Sequence, residues 1–405
     1  MQSFVSRFST RKILGQNLKI FFYIDCVERA LRFVLLMGVV SLLGDVVYEG
    51  ARSVIGAYLA TFGVTAVMLG FVIGLGELLS YGFRIFAGHI ADKTGRYWAL
   101  TFLGYAMIFS IPLIAFFDSY AVVFLLIVLE RLGKALRSPA RDTLLSFATA
   151  KMGRGTGFGI HEALDQVGAV VGPLIFFFAI YLGLGYREGF LLLFIPAVFM
   201  LLTLNFAKLS YVSEEVHRGD KGSKKLERVF WLYIAFTILA VVGLVNFQLL
   251  AYHFKVKSVF SDELIPLLYA LAMGIDAISA LLAGKAFDRV GLKCLTLVPV
   301  LTPLSAFLSL QFNPVAGVLL FGFILGMHES VMRAGVAELS GAEKRATAYG
   351  LLNTSMGVGL FAGSFLIGFL YDISTEAVIV FSLVTSVAAF SLLLFTLAAM
   401  RTRRA

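Results

Sequence analysis

Runs of about 20 apolar residues recur along the whole chain, and an α-helix needs this length to cross the hydrocarbon core of a bilayer. The apolar fraction is 59% and the charged fraction is 15%, whereas soluble domains carry about a quarter charged residues. We therefore predict an all-α integral membrane protein with twelve transmembrane helices. Their predicted limits are 31–62, 65–87, 97–117, 119–140, 156–181, 188–207, 229–253, 262–283, 294–311, 314–335, 346–371 and 375–400.

Basic residues are distributed unevenly between the segments that connect these runs. With the N-terminus placed in the cytoplasm, most of the 34 Lys and Arg residues fall in cytoplasmic segments, as the positive-inside rule requires. We predict a multi-pass protein of the inner or plasma membrane with both termini cytoplasmic. Residues 1–30 form a cytoplasmic amphipathic segment in this prediction, and Cys26 and Cys294 stay reduced on that side. The net charge of +9 then reflects topology, so we predict no nucleic-acid partner.

A polar stretch at 208–228 separates two halves of similar sequence. The chain reads GHIADKTGR at 88–96 after the second run and GKAFDRVGL at 284–292 after the eighth. A weaker repeat matches Gly159, Gly168 and Gly172 with Gly350, Gly359 and Gly363. The repeats predict two pseudo-symmetric six-helix bundles, 31–207 and 229–400. A cytoplasmic linker, 208–228, would join them, and a basic tail, 401–405, would follow.

The first of these motifs resembles a family signature. GHIADKTGR is similar to the Gly-x-x-x-Asp-basic-x-Gly-Arg loop between helices two and three of the major facilitator superfamily of secondary transporters, and the resemblance extends along essentially the whole chain. GAVVGP at 168–173 resembles the fifth-helix signature of proton-coupled exporters, although Leu174 to Phe176 replace its further glycines. ERLGKALRSPARD at 130–142 resembles the basic fourth-helix signature, with Arg131 as the matching arginine.

The resemblance implies a cytoplasmic gate built from the two loop motifs. Asp92 would face a helix N-terminus across the interface between the halves, where unsatisfied N–H groups favour a carboxylate. Arg96 would pair with Asp142, and Asp288 would be the weaker counterpart in the second half. Alternatively, the glycines only shape tight turns and the charges only set the topology. The predicted gate residues are Gly88, Asp92, Gly95, Arg96, Asp142, Gly284, Asp288 and Gly291.

The fifth predicted helix carries a stripe formed by His161, Asp165, Gly168 and Gly172, followed by Pro173. Glycine allows helices to approach closely, and proline bends a helix. Two interpretations stay open. The stripe is either a packing seam with one polar edge or a bend, from Asp165 to Pro173, that lines the interface between the halves.

Ionisable residues inside the predicted spans indicate a functional site, because an ionised group at the bilayer centre is costly. In the first half they are Asp45, Glu49, Arg52, Glu77, Arg84, Glu130, Arg131 and Lys134; in the second they are Asp276, His328, Glu329 and Arg333. We predict a proton and substrate cavity at the depth where transporters bind their solutes. Its predicted residues are Asp45, Glu49, Arg52, Glu77, Glu130 and Arg131.

Asp45 and Glu49 are the first candidates for proton coupling, because burial and like charge disfavour the ionised form of a carboxylate. The alternative is that Arg52, Arg84 and Arg131 neutralise the acids permanently. A pair between Glu329 and Arg333, four residues apart, is the simplest interpretation of those two charges.

The sequence contains no Walker A motif, no zinc-binding motif and no recognisable catalytic constellation, so we predict no ATP-driven pump, no metal centre, no cofactor and no enzyme. The predicted function is secondary active transport of a small solute by alternating access, coupled to protons and directed outward, by a monomer in the bilayer. A uniporter, or a cation-coupled importer of a metal ion or an organic anion, is the alternative. A non-transporting receptor or a membrane-embedded enzyme is less well supported, because a receptor would not need both loop motifs.

Overall fold

The computed structural model describes residues 2–149, 154–210, 227–340 and 345–404. Every element in these ranges is helical, and twelve helices run across the molecule. They are α1 (Gln2–Ala60), α2 (Ala66–Thr94), α3 (Tyr97–Phe116), α4 (Tyr120–Thr149), α5 (Arg154–Tyr181), α6 (Tyr186–Ser210), α7 (Arg228–Val256), α8 (Leu264–Val290), α9 (Leu297–Phe307), α10 (Pro314–Leu339), α11 (Arg345–Ile373) and α12 (Thr375–Arg404). Short helical turns at Gly291–Thr296 and Leu308–Phe312 extend α9 at its two ends.

Ten stretches of the described chain are long and apolar enough to cross a membrane. One of them, Leu264–Phe312, contains both α8 and α9. The fourth helix, Tyr120–Thr149, adds a further span although Glu130, Arg131 and Lys134 interrupt its apolar run. The prediction of an all-α membrane fold with twelve transmembrane helices is therefore confirmed.

Three helices are interrupted along their length. The second helix is interrupted at Phe83, between the segments Ala66–Gly82 and Arg84–Thr94, and the sixth at Leu193, between Tyr186–Leu192 and Phe194–Ser210. The seventh is broken between Arg228–Val242 and Phe247–Val256. Asn246 begins the second segment of α7, where its side-chain oxygen accepts a hydrogen bond from the N–H of Leu249 at 2.9 Å. This cap satisfies one of the free N–H groups at the break.

The first helix begins at Gln2 and continues to Ala60 without interruption. The predicted amphipathic segment 1–30 is therefore continuous with the first span over its described residues. Most of the predicted linker, 211–226, and the side chain of Cys26 lie outside the described part of the chain. Cys294 is buried at the start of the ninth span, where its thiol contacts the carbonyl oxygen of Gly291 at 3.1 Å.

The two loop motifs are mostly helical, which corrects the prediction of a loop at 88–96. The second helix continues to Thr94, because Ala87 and Ala91 extend its buried face by two more turns. The chain turns only at Gly95, where φ is +67°. In the second half α8 continues to Val290 and the turn follows at Gly291, where φ is +61°. Both turns need the left-handed conformation, which glycine adopts without steric cost.

The glycine pattern that recurs in the two halves is a pair of matching packing seams. A Cβ added to Gly168, Gly172, Gly359 or Gly363 would press on a carbonyl oxygen of the neighbouring helix, so only glycine allows the observed approach. Gly159 and Gly350 take no part in this packing, since a Cβ there would meet nothing closer than 3.7 Å. In the first half α5 packs on α1, and in the second half α11 packs on α7. The contacts are Gly168 with Leu42, Gly172 with Val46, Gly359 with Ile238 and Gly363 with Val242. For Gly168 and Gly172 this favours the seam interpretation, because α1 and α5 belong to the same half.

The two ends of the molecule are named here by their residues. The basic end is where α2, α6, α8 and α10 finish, at Thr94, Ser210, Val290 and Leu339. The distal end is where α1, α3, α5 and α7 finish, at Ala60, Phe116, Tyr181 and Val256. The halves meet mainly where α2 packs on α11, α1 on α7, and α5 on α8, with smaller contacts of α1 with α8 and of α2 with α7.

Candidate functional site

A cavity of about 370 Å³ lies between the two halves, lined by residues of both. It reaches from the level of Arg52, in the membrane interior, to Asp142 and Phe158 near the basic end. Its wall is highly charged, with seven acidic and six basic side chains. The acids are Asp45, Glu49, Asp142, Glu162, Asp165, Asp276 and Glu329, and the bases are Arg52, Arg84, Lys134, Arg137, Arg141 and Arg333.

The cavity is closed on its distal side by contacts between the halves. The phenol of Tyr269 in α8 donates a hydrogen bond of 2.5 Å to Glu49 in α1. Farther out, Asp372 of α11 accepts hydrogen bonds from the backbone N–H groups of Ala66 and Val67, at 3.1 and 3.0 Å. These two residues begin α2, so a carboxylate of one half caps a helix of the other. Such a position suits an anion, because the first N–H groups of a helix have no partner within it.

Six charged side chains form one continuous chain of ion pairs beside the cavity. Successive N···O distances are 3.5 to 3.6 Å. Three carboxylates alternate with three guanidinium groups, so the chain has no net charge. In order it consists of Glu49, Arg52, Glu77, Arg131, Glu130 and Arg137.

The predicted cavity residues in this series of ion pairs differ in burial and fall into two groups. Glu77, Glu130 and Arg131 are at most 6% exposed and lie behind the cavity wall, whereas Glu49 and Arg52 reach the cavity. Pairing is what makes such burial tolerable, because an isolated ion in a low-dielectric interior is very costly.

Tyr48 binds two arginines in the middle of this series of ion pairs. Its hydroxyl accepts hydrogen bonds from Arg131 and from Arg52, the latter at 3.2 Å. The ring of Tyr48 also lies 4.1 Å below the ammonium group of Lys134 and 4.3 Å from the guanidinium carbon of Arg131. A cation over an aromatic face is stabilised by the quadrupole of the ring. One tyrosine therefore holds three cations of α1 and α4 in fixed positions.

Asp45 is separate from the chain of ion pairs. It lines the cavity one helical turn from Glu49, and in the described residues no ion pair or hydrogen bond holds its carboxylate. Glu49, Lys134, Arg137 and Arg141 are charged groups that line the same cavity. Asp165 of α5 lies nearby, within 3.5 Å of His161. The structure thus divides the two carboxylates proposed for coupling, since Glu49 is paired and Asp45 is not.

Two other expected pairs are absent from the described side chains. Arg84 does not reach Glu77; instead its Nε donates to the carbonyl oxygen of Ser80 at 3.0 Å. No ion pair within 4 Å joins Glu329 to Arg333 in the described part of α10, although Arg333 is the strongest charged influence on Glu329. The simple i, i+4 pairing predicted for these two residues is therefore wrong for this conformation.

The predicted gate is not assembled at the basic end. Asp142 pairs with its neighbour Arg141 at 3.0 Å, and no contact joins it to Arg96 among the described residues. Asp92 is exposed and accepts a hydrogen bond of 3.0 Å from the hydroxyl of Tyr97. Asp288 is exposed as well. The physical reason is that the cavity extends toward this end, so the groups that would close it lie apart.

Gly88 and Gly284, the other predicted gate glycines, lie on helix surfaces. A Cβ at Gly88 would stand 3.6 Å from the ring of Pro139, and one at Gly284 would stand 3.3 Å from the hydroxyl of Ser330. Pro173 lies inside α5, one residue after the seam glycine Gly172. The bend proposed for this helix stays a prediction.

Three residues of the site carry roles that the sequence patterns did not indicate. Tyr48 and Tyr269 are aromatic residues in apolar runs, where they resemble ordinary core residues. Asp372 lies at the end of a span, where a single acid is common. Within the described ranges no group of three or more His, Cys, Asp or Glu side chains could hold a metal ion.

Comparison with known proteins places this architecture in a family. The chain matches the model of the Major Facilitator Superfamily over residues 34–363 and 260–405. It is 39% identical over 365 residues to an uncharacterized protein of Mycobacterium tuberculosis, covering 87% of this chain and 89% of that protein. It is 28% identical over 383 residues to an uncharacterized MFS-type transporter of Methanocaldococcus jannaschii, covering 89% and 94%.

A solved structure has the same fold at low sequence identity. The nucleoside transporter NupG, solved as a point mutant, superposes with a TM-score of 0.73 at 13% identity, covering 90% of this chain and 99% of that chain. At this identity the likeness concerns the fold alone. Two six-helix halves with matching glycine seams, a charged cavity between them and a family model that covers most of the sequence lead to one conclusion. The chain is a multi-pass membrane protein that belongs to the Major Facilitator Superfamily of transporters.

Proposed function

We propose that this protein is a proton-coupled secondary transporter that moves a small polar solute out of the cell by alternating access. The observation that carries the proposal is the charged cavity between the halves, which is closed distally and extends toward the basic end. A site that both halves line can face either side of a membrane when the halves rock against each other. The M. jannaschii relative, whose name describes an MFS-type transporter, supports the same class of activity.

The basic end faces the cytoplasm in this proposal. The charge asymmetry of the connecting segments supports that orientation through the positive-inside rule, and it places both termini inside. The described conformation then has its cavity toward the cytoplasm. Closing this end would bring the loop motifs of the two halves together and would release the distal contacts of Asp372 and Tyr269. The resemblance of GAVVGP at 168–173 to an exporter signature supports outward transport.

Asp45 is the proton-coupling residue in this proposal. Glu49, Glu77 and Glu130 each have a guanidinium partner, so a proton would have to break an ion pair to bind them. Asp45 has no such partner in the described residues and faces the cavity. The charged groups that line the cavity with it include the acids Glu49 and Asp165 and the bases Lys134, Arg137 and Arg141. A group in this balance can bind and release a proton as the cavity opens to one side and then the other.

Proteoliposomes that enclose a pH-sensitive dye test the proposal. Amino acids, amines, carboxylic acids and nucleosides are added in turn, and solute-dependent proton movement and uptake of labelled solute are recorded. We expect at least one class to move protons with the wild-type protein. We expect Asp45→Asn to abolish accumulation driven by a pH gradient while solute exchange without a gradient continues.

Asp118→Asn is the matched control, because Asp118 is an exposed acid in the distal α3–α4 connection. It should behave as the wild type in both assays. If Asp45→Asn accumulates solute as well as the wild type does, the coupling site is not Asp45. If the wild-type protein transports solute at a rate independent of the pH gradient, the protein is a uniporter and proton coupling is excluded.

A further inference from the structure

The second half contributes two acidic side chains to the cavity that the ion-pair chain leaves unpartnered. They are Asp276 of α8 and Glu329 of α10. Asp276 is 2% exposed, and its Oδ1 has no hydrogen-bond partner in the described structure. Neither acid has a basic group within ion-pair distance among the described residues. A buried carboxylate oxygen without a hydrogen-bond partner is costly. We therefore expect a bound solute to supply a hydrogen-bond donor to it.

The packing of α8 on α10 brings these two acids to the same place on the wall. A Cβ on Gly326 of α10 would collide with the carbonyl oxygen of Asp276 and the hydroxyl of Ser279 in α8, so the two backbones are in direct contact there. Glu329 follows Gly326 by three residues and lies on the same face of α10. Both side chains line the cavity. Two ionised carboxylates on one part of the wall repel each other, and a cation between them, or a proton on one of them, relieves that repulsion.

A third acceptor completes the group from the first half. Gln166 of α5 also lines the cavity, and the buried Oε1 of its side-chain amide has no hydrogen-bond partner in the described structure. Three helices, α5, α8 and α10, thus direct acceptor oxygens into one part of the cavity. An ammonium group has three N–H donors and no acceptor, which matches this set of Asp276, Glu329 and Gln166.

The described basic side chains of the cavity form no ion pair with these two acids. Arg84 donates to the carbonyl oxygen of Ser80. Arg52 and Arg137 belong to the ion-pair chain, and Arg141 pairs with Asp142. Arg333 is exposed, one turn closer to the basic end than Glu329. Lys134 lies over the ring of Tyr48 on the α4 wall and has no ion pair in the described residues. No basic side chain of the described cavity wall forms an ion pair with Asp276 or Glu329, so a cationic group of the solute is the ligand that would fit them.

We propose that the cavity binds the protonated amino group of its solute between Asp276 and Glu329, with the side-chain oxygen of Gln166 as the third acceptor. The proposal rests on the transport function proposed above and names the chemistry that the site recognises. An amine and an amino-acid-like zwitterion both carry this group. Lys134 separates the two cases, because it would bind the carboxylate of a zwitterion and would contribute nothing to an amine.

Thermal unfolding of the purified full-length protein in detergent tests the proposal without requiring transport, since a ligand that binds the folded state stabilises it by mass action. The probes are the standard amino acids, a set of dipeptides and a set of aliphatic amines. For each amino acid or dipeptide that binds, the methyl ester keeps the ammonium group without the carboxylate, and the N-acetyl derivative keeps the carboxylate without the ammonium. We expect stabilisation by compounds with a free amino group and none by the N-acetyl derivatives.

Variants assign the binding to the site. Asp276→Asn and Glu329→Gln should each weaken binding about tenfold or more, as the loss of a hydrogen bond to a charged group implies. Gln166→Met should weaken it less, and it tests the site if either acid variant fails to fold. Asp118→Asn should bind as the wild type does. Lys134→Gln should remove any preference for a zwitterion over its methyl ester and leave amine binding intact.

Four results would overturn the proposal. They are binding of the N-acetyl derivatives, wild-type affinity in both acid variants, the same Asp276-dependent stabilisation by sodium or magnesium ions alone, and no binding by any probe. The experiments distinguish failure of the ammonium-site proposal from failure of the transport proposal. Proteoliposomes that move another solute class would leave transport intact, whereas an amine that binds but is never transported would leave only the ammonium site.

Discussion

At the scale of single residues, the site depends on which charges have partners. Arg131 contacts Glu77, Glu130 and Tyr48 together, so it is the central member of the ion-pair chain. Its side chain is buried, and its removal would leave two carboxylates with one guanidinium partner each. Breaking a buried ion pair by removing one partner is far more costly than replacing both, because the remaining charge stays buried.

We expect Arg131→Met to destabilise the protein by about 3–5 kcal/mol, seen as a lower midpoint of thermal unfolding in detergent. The double variant Arg131→Met with Glu77→Gln should recover part of this loss, because it restores equal numbers of carboxylate and guanidinium groups among the ion-paired residues. Lys285→Gln, at an exposed basic residue of α8, is the control and should leave the midpoint unchanged. Equal unfolding midpoints for Arg131→Met and the control would show that the ion pairs of Arg131 do not contribute to stability.

At the scale of helices, the distal closure depends on one helix terminus. The second helix begins at Ala66, and Thr65 supplies a hydroxyl that accepts from Met68 at 3.4 Å. Asp372 of α11 satisfies the N–H groups of Ala66 and Val67 from the other half. An N-cap within one helix stabilises that helix only, whereas a cap across two halves stabilises the conformation in which the halves touch. The distal cap is therefore a contact that alternating access must break.

We expect Asp372→Ala to shift the protein toward the distal-open conformation by about 0.5–2 kcal/mol, which is roughly a 2- to 30-fold change in the equilibrium. Spin labels at Thr61 and Lys257, on opposite halves of the distal end, would report the shift as a larger population at long distance. Asp372→Asn should lie between the wild type and Asp372→Ala, because an amide has one acceptor oxygen for the two N–H groups that the carboxylate oxygens bind separately. An unchanged distance distribution in Asp372→Ala would mean that the cap does not contribute to closure.

At the scale of the whole molecule, the basic residues of the connecting segments and the open side of the cavity lie at the same end. Basic residues such as Lys93, Arg289 and Lys293 lie at the end toward which the cavity extends. The distal end carries the contacts that close the molecule. If the basic end is cytoplasmic, a solute enters this conformation from inside the cell, which agrees with the proposed direction of transport.

Cysteine accessibility in intact cells measures the orientation. In a variant without Cys26 and Cys294, a membrane-impermeant maleimide should label cysteines placed at Asp118, Lys257 or Glu376. It should not label cysteines at Thr94 or Val290 until the membrane is permeabilised. The reverse pattern would invert the topology and, with it, the proposed direction of transport.

The sequence by itself determined the membrane class, the two halves and the glycine seams, because each follows from a local pattern. A run of 20 apolar residues needs a bilayer wherever its neighbours lie, and the Gly-x-x-x-Gly patterns at 168–172 and 359–363 need a close helix whichever helix it is. The sequence also placed Asp45, Glu49 and Glu77 at similar depth. It left open which arginine would neutralise which acid.

Only the tertiary structure decided those pairs. Glu77 joins Arg52 and Arg131 but not Arg84, Glu49 is bound by Tyr269 while Asp45 is free, and Asp276, Glu329 and Gln166 converge from three helices. Helical periodicity tells which residues share a face, but the partner of a charge depends on the azimuth and height of neighbouring helices. An ion pair forms only when its nitrogen and oxygen atoms lie within about 4 Å of each other. A rotation of one helix by a single residue position moves its side chains by more than this distance. Depth is a property of the segment, whereas pairing is a property of the packed bundle.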